Sequence, residues 1–114
     1  MTRHIVLGNQ SMLVNIDKWL QIRDIYFPYV GLENHLMGHA MRIGIFADGK
    51  LSWVNEDSWV RKLRYRDDTL TTDNSAVNSK IGVELSFAEN IHHEANILIR
   101  KITVRNTFDN EREI

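Results

Sequence analysis

The chain has 114 residues, enough for one domain and too few for a multidomain machine, since independently folding units usually hold on the order of 100 to 150 residues. Fourteen Lys and Arg residues against fifteen Asp and Glu leave a formal charge of −1, which excludes an overall positive field able to hold a polyanion. Apolar residues at 43% and charged residues at 25% exclude an intrinsically disordered chain, so a hydrophobic core is expected. No cysteine is present, which removes disulfides, thiol nucleophiles and thiolate metal sites and makes the cytoplasm the expected location. The first ten residues carry too short an apolar run for a signal peptide, and no stretch approaches the roughly 18 apolar residues that span a bilayer, so no membrane association is expected.

The hydrophobic period is mostly two, the period of a strand with one buried face. In residues 11–17, Met12, Val14 and Ile16 share a face, and Leu20 and Ile22, with Asp24 or Tyr26, continue the pattern after a turn at Asp17 and Lys18. His39, Met41, Ile43, Ile45 and Ala47 alternate with Ala40, Arg42, Gly44 and Phe46 up to Asp48-Gly49, a dipeptide suited to the positive φ angles of a two-residue hairpin, and residues 50–54 pair back. Residues 59–66 alternate an aromatic-aliphatic face (Trp59, Leu63, Tyr65) with cations, as an edge strand does. Residues 69–77 are rich in β-branched side chains, residues 78–80 read as a turn, and residues 81–88 give the cleanest alternation in the chain. Residues 95–104 mix their faces, which predicts a strand that is bulged or covered on both sides, and the charged tail 110–114 is expected to fray. About eight strands with hairpin-length connections and no helix predict an all-β fold, an antiparallel β-sandwich or part of one, with residues 1–114 forming a single unit.

Chemistry-bearing residues are sparse. The segment 23–39 gathers three aromatics, the single proline and two histidines between two strands; Pro28 is expected to be trans on frequency alone. His35 and His39 are four apart, a metal-ligand spacing on a helix but not in an extended segment containing Gly38, so no metal is expected. His92-His93-Glu94 reads as a polar turn, because adjacent side chains of a strand point to opposite faces. Glu56-Asp57 and Asp67-Asp68 lie in polar turns with nothing to raise a carboxyl pKa for acid-base work. Arg61, Lys62, Arg64 and Arg66 with Trp59 and Tyr65 form the one basic-aromatic cluster, best read as a solvated strand face with no nucleic-acid partner. No phosphate loop, dinucleotide fingerprint, nucleophile elbow or HExxH is present, and no cofactor is implied.

Four ordered segments, LGNQSMLVNID at 7–17, RDIYFPYVGLENH at 23–35, FADGKLSWV at 46–54 and LRYRDDTLTTD at 63–73, resemble the opening of the prokaryotic glucoamylase-like enzymes of glycoside hydrolase family 15. The resemblance runs from Leu7 to about Asn106. It implies an N-terminal β-sandwich (a supersandwich) that packs on an (α/α)6 barrel, which hydrolyses α-glucosidic bonds with inversion in glucan 1,4-α-glucosidases, glucodextranases and trehalases. The family's catalytic glutamates lie in that barrel, which is absent from these residues, so no catalytic residue is assigned and the chain alone is expected to be inactive. The resemblance implies Tyr29, Asn34 and His35 as substrate-proximal or interdomain residues, with Arg23 and Asp24 fixing their loop.

Two rival readings accompany this one: a free-standing carbohydrate-binding module using Trp53, Trp59 and Tyr65, and a single-strand nucleic-acid binder using residues 59–66. The implied partners are the barrel, an α-glucan and a second copy of the chain, because half a sandwich exposes an apolar face and strand edges.

Overall fold

The computed structural model describes residues 3–31 and 33–114, all of them strand, turn or irregular backbone without a helix. Nine strands follow in chain order: β1 (Arg3–Gly8), β2 (Leu13–Asp17), β3 (Ile22–Tyr26), β4 (Gly44–Ala47), β5 (Lys50–Trp53), β6 (Val60–Lys62), β7 (Asn74–Asn78), β8 (Val83–Ile91) and β9 (Leu98–Asn106). Every pairing is antiparallel, giving sheets β1-β2-β3, β4-β5 and β6-β7-β8-β9. The first two are joined by backbone hydrogen bonds exchanged between Ile22 and Met41, so β1 to β5 make one layer facing the four-stranded sheet. The fold is a β-sandwich.

Two apolar clusters fill the space between the layers. In one, Ile5, Leu7, Met12, Val14, Ile16 and Ile22 of the first sheet close on Leu63, Ile91 and Leu98. In the other, Leu20, Ile43, Ile45 and Val54 cover Trp59, Ala76, Val83, Leu85 and Phe87. The faces assigned by alternation on β2 and β8 are the buried ones, as a period of two requires once one side of a strand is covered. Asp48 and Gly49 adopt φ of 52° and 75°, and the two-residue loop sets Ala47 opposite Lys50 as the dipeptide predicts. The edge position expected for residues 59–66 is found at β6.

Several expectations are corrected. A strand that the alternation from residue 11 onward does not include, β1, forms as well, with Ile5 and Leu7 inward and Val6 outward. Regular pairing near residues 39–47 is confined to β4, because Met41 is engaged with Ile22 instead. Residues 69–71 turn rather than extend, since Thr69 N–H is drawn to Arg66 O. β9 pairs with β8 in unbroken register over nine residues and is neither bulged nor covered; it is an edge, with Ile99, Ile102 and Val104 exposed. The Phe27–Pro28 bond is cis and not trans, just past the end of β3.

The tail does not fray as its charge suggested. Arg112, only 4% exposed, donates to Asn106 Oδ1 (2.9 Å), Asp48 Oδ2 (2.8 Å) and the Gly82 carbonyl (2.6 Å), and it stacks over Phe108 at 4.2 Å. The Phe108 ring lies where a Cβ on Gly82 would sit 2.4 Å from Phe108 Cδ1, and Gly82 has φ of 66°, so only glycine serves there.

Candidate functional site

The loop joining β3 to the Met41 bridge is built on a polar clamp. Asn34 Oδ1 accepts the backbone N–H of Ile25 and of Leu36, both at 3.1 Å, and its Nδ2 donates to Asp24 Oδ1 at 2.8 Å. The second oxygen of Asp24 accepts Asn15 Nδ2 at 3.0 Å on the neighbouring strand. His35 contacts the Phe27 carbonyl through Nε2 at 2.7 Å, and its own N–H donates to Ile25 O. Both ends of the loop are thereby fixed to the sheet. In the same segment apolar side chains face solvent: Tyr29 is 67% exposed and Met37 84%, and Phe27, Val30 and Met41 are exposed as well. This crest of exposed apolar side chains, on a loop held by satisfied polar contacts, makes the segment the candidate site.

Among the residues singled out from the sequence, Asp24, Asn34 and His35 therefore meet in the clamp, and Tyr29 stands apart on the crest. Arg23 goes elsewhere. Its Nε donates to Asp17 Oδ2 at 2.7 Å, below the turn that links β2 and β3. Asp17 is fully buried and also accepts the N–H groups of Trp19 and Gln21 and the Gln21 side-chain amide, so its charge is compensated by four donors. That turn carries Leu20 at φ of 63°, an uncommon conformation for a branched side chain, with Leu20 itself driven into the core.

The basic-aromatic cluster does not form a platform. Trp59 is 2% exposed, with its indole N–H on Ser52 Oγ. Arg61 donates to the Val54 and Glu56 carbonyls, Arg64 pairs with Asp73, and Tyr65 Oη both accepts from Val6 N–H and donates to Val6 O. Trp53 lies between the Arg42 guanidinium at 4.5 Å and Gly44, where a Cβ would approach its ring to 2.9 Å. Trp53, Trp59 and Tyr65 thus have separate duties and form no common platform for a carbohydrate. Among the described residues, no group of three or more His, Asp or Glu is placed to hold a metal ion.

Over 104 residues, 91% of its length, the chain is 27% identical to an uncharacterized glycosyl hydrolase of Methanocaldococcus jannaschii. It is similar to a glycosidase. The chain spans 16% of that relative's length. No family model matches the chain, and no solved structure matches it. Among the described residues no helix is long and apolar enough to cross a membrane.

One further site escaped sequence reasoning. His92 and His93 do lie in a polar turn, where His92 Nδ1 accepts the N–H groups of Glu94 and Ala95. The strand ends at Ile91, so their rings are not directed to opposite faces; they stack with centroids 4.7 Å apart and planes at 21°. Together with Gly8, Leu70, Thr71, Asn90, Ile91 and Ile99 they line a cleft of about 440 Å³. Its walls come from four separated stretches of chain, so no local motif announces it.

Proposed function

We propose that this β-sandwich is the non-catalytic domain of a glucoamylase-like glycosidase of family 15, and that its crest seats it on a catalytic (α/α)6 barrel. The parent enzyme hydrolyses α-glucosidic bonds in maltooligosaccharides, starch-type glucans or trehalose. The observation that carries this reading is the crest itself: the exposed apolar side chains of Phe27, Tyr29, Val30, Met37 and Met41 on one loop, held by the contacts of Asp24, Asn34 and His35. Similarity to a glycosyl hydrolase over nearly the whole chain supports the glycosidase part of the assignment, and the short share of that relative which it spans leaves ample room for a catalytic unit there. In such an assembly Tyr29 faces the barrel, where it either packs on the domain surface or borders the sugar. Asn34 and His35 act through the loop they hold.

The test joins this chain to a barrel encoded in the same or a neighbouring reading frame and assays release of glucose from maltooligosaccharides and trehalose. Hydrolysis is expected from the pair and not from the sandwich alone. Met37→Asp combined with Tyr29→Ala, both at exposed positions that leave the core intact, should weaken association at least about tenfold, since apolar anchors dominate such interfaces. A pair equally active and equally tight with the altered crest refutes the assignment of the loop.

A further inference from the structure

We propose that the cleft at the corner between β8 and β9 binds an uncharged polyhydroxyl ligand the size of one pyranose ring or a short neutral oligosaccharide. Four features of the lining lead there. The cleft, at about 440 Å³, falls within the size range of small-ligand sites. Its lining holds no Asp, Glu, Lys or Arg, so apart from the two imidazoles it offers no charged group and suits a neutral ligand. Leu70, 70% exposed, and Ile99, 47% exposed, give it apolar walls able to meet the C–H face of a sugar ring, beside the stacked imidazoles.

The fourth feature is the state of its polar groups. Asn90 Oδ1 is the one side-chain N or O atom among the described residues that is buried with no hydrogen-bond partner. Such orphans are uncommon in folded proteins and call for an occupant. The amide's other end is weakly held, with Nδ2 only within 3.4 Å of Thr71 Oγ1. Also in the lining, His92 Nδ1 is occupied as an acceptor by two backbone N–H groups, which places the ring proton on Nε2 as a donor for a ligand oxygen. One acceptor seeking a donor and one donor seeking an acceptor, flanked by aliphatic walls, make the pattern that a sugar's hydroxyls and C–H face complement.

This inference rests on the lining and not on the assignment of a catalytic partner, so either can fail alone. The experiment is a titration of the isotope-labelled chain with D-glucose, maltose and trehalose, and in parallel with inorganic phosphate, followed by amide, Asn side-chain and imidazole resonances. Saturable shifts confined to Leu70, Thr71, Asn90, His92, His93 and Ile99 are expected at millimolar sugar, with phosphate producing none there. Asn90→Leu removes the orphan amide and should weaken sugar binding about tenfold, the usual scale for a lost buried hydrogen bond. Leu70→Ala, at a largely exposed side chain that the fold does not need, tests the apolar wall and should also weaken binding. Absence of saturable shifts with all three sugars, tighter binding of phosphate, or unchanged affinity in both variants overturns the proposal.

Discussion

Glu89 is 1% exposed in the middle of the sandwich, where an unpaired carboxylate is untenable. It survives because Arg100 Nε donates to Oε2 at 2.7 Å across the β8-β9 ladder, while Thr72 Oγ1 and Asn74 Nδ2 donate to Oε1. The backbone joins in, with Glu89 N–H on Thr72 Oγ1 and Thr72 N–H on Glu89 O. Removing one partner of such a pair leaves a buried charge behind, so Arg100→Leu should lower stability by about 3 kcal/mol or more, read as a shift in the urea midpoint. A loss under about 0.5 kcal/mol, the range of ordinary surface substitutions, would show that Asn74 and Thr72 alone sustain the carboxylate. Asp17 follows the same logic with Arg23 and three amide donors, which explains why this second acid is tolerated inside a modest core.

The β4-β5 hairpin shows how one residue type decides an element's shape. A two-stranded ribbon is marginal by itself and must be held by packing on a face. Its inner face packs Ile45 and Val54 against the opposite sheet. On the outer face Trp53 lies flat over Gly44, opposite it in the register, and Arg42 closes the other side of the ring. A side chain at position 44 must displace that ring. Gly44→Val is therefore expected to cost about 1 to 3 kcal/mol, the scale of forced overpacking, and to move the tryptophan emission toward that of exposed indole. Unaltered stability and emission would mean that the ring rests there without constraint. The crest of residues 27–41 obeys a different rule: its composition suggested a site, but the clamp is visible only when Asn34 folds back on Ile25 and Asp24.

For the molecule as a whole, the feature with most consequence is the open edge at β9. Residues 98–106 pair with β8 along one side alone, and Ile102 and Val104 stand on the face that would be interior were the opposite layer wider. A long edge with half-exposed aliphatic residues invites another strand, and a second copy is the most accessible partner. Self-association is expected at high micromolar concentration, giving a mass twice that of the 13.3 kDa chain in light scattering after gel filtration. Ile102→Lys with Val104→Lys should restore the single-chain mass. A monomer under all conditions would instead mark the edge charges Lys101 and Arg105 as sufficient to block pairing.

The alternation and the turn dipeptide that matter for this fold are local signals, and for that reason they were legible. Alternation in β2 and β8 placed Met12, Val14, Ile16, Val83, Leu85 and Phe87 inside, and Asp48-Gly49 specified its hairpin, because side-chain direction in a strand and turn φ angles depend on adjacent residues alone. Resemblance at the level of ordered segments pointed to the glycosidase connection that the archaeal relative supports. What the tertiary structure decided are the contacts between residues far apart in the chain. Arg112 reaches Asp48 across 64 positions and turns a charged tail into a latch, and Tyr65 reaches Val6 across 59 and leaves the basic cluster without its aromatic face. The cleft with Asn90 at its wall depends likewise on Gly8, Leu70 and Ile99 arriving from three other stretches, and no period or motif encodes where separate strands will meet.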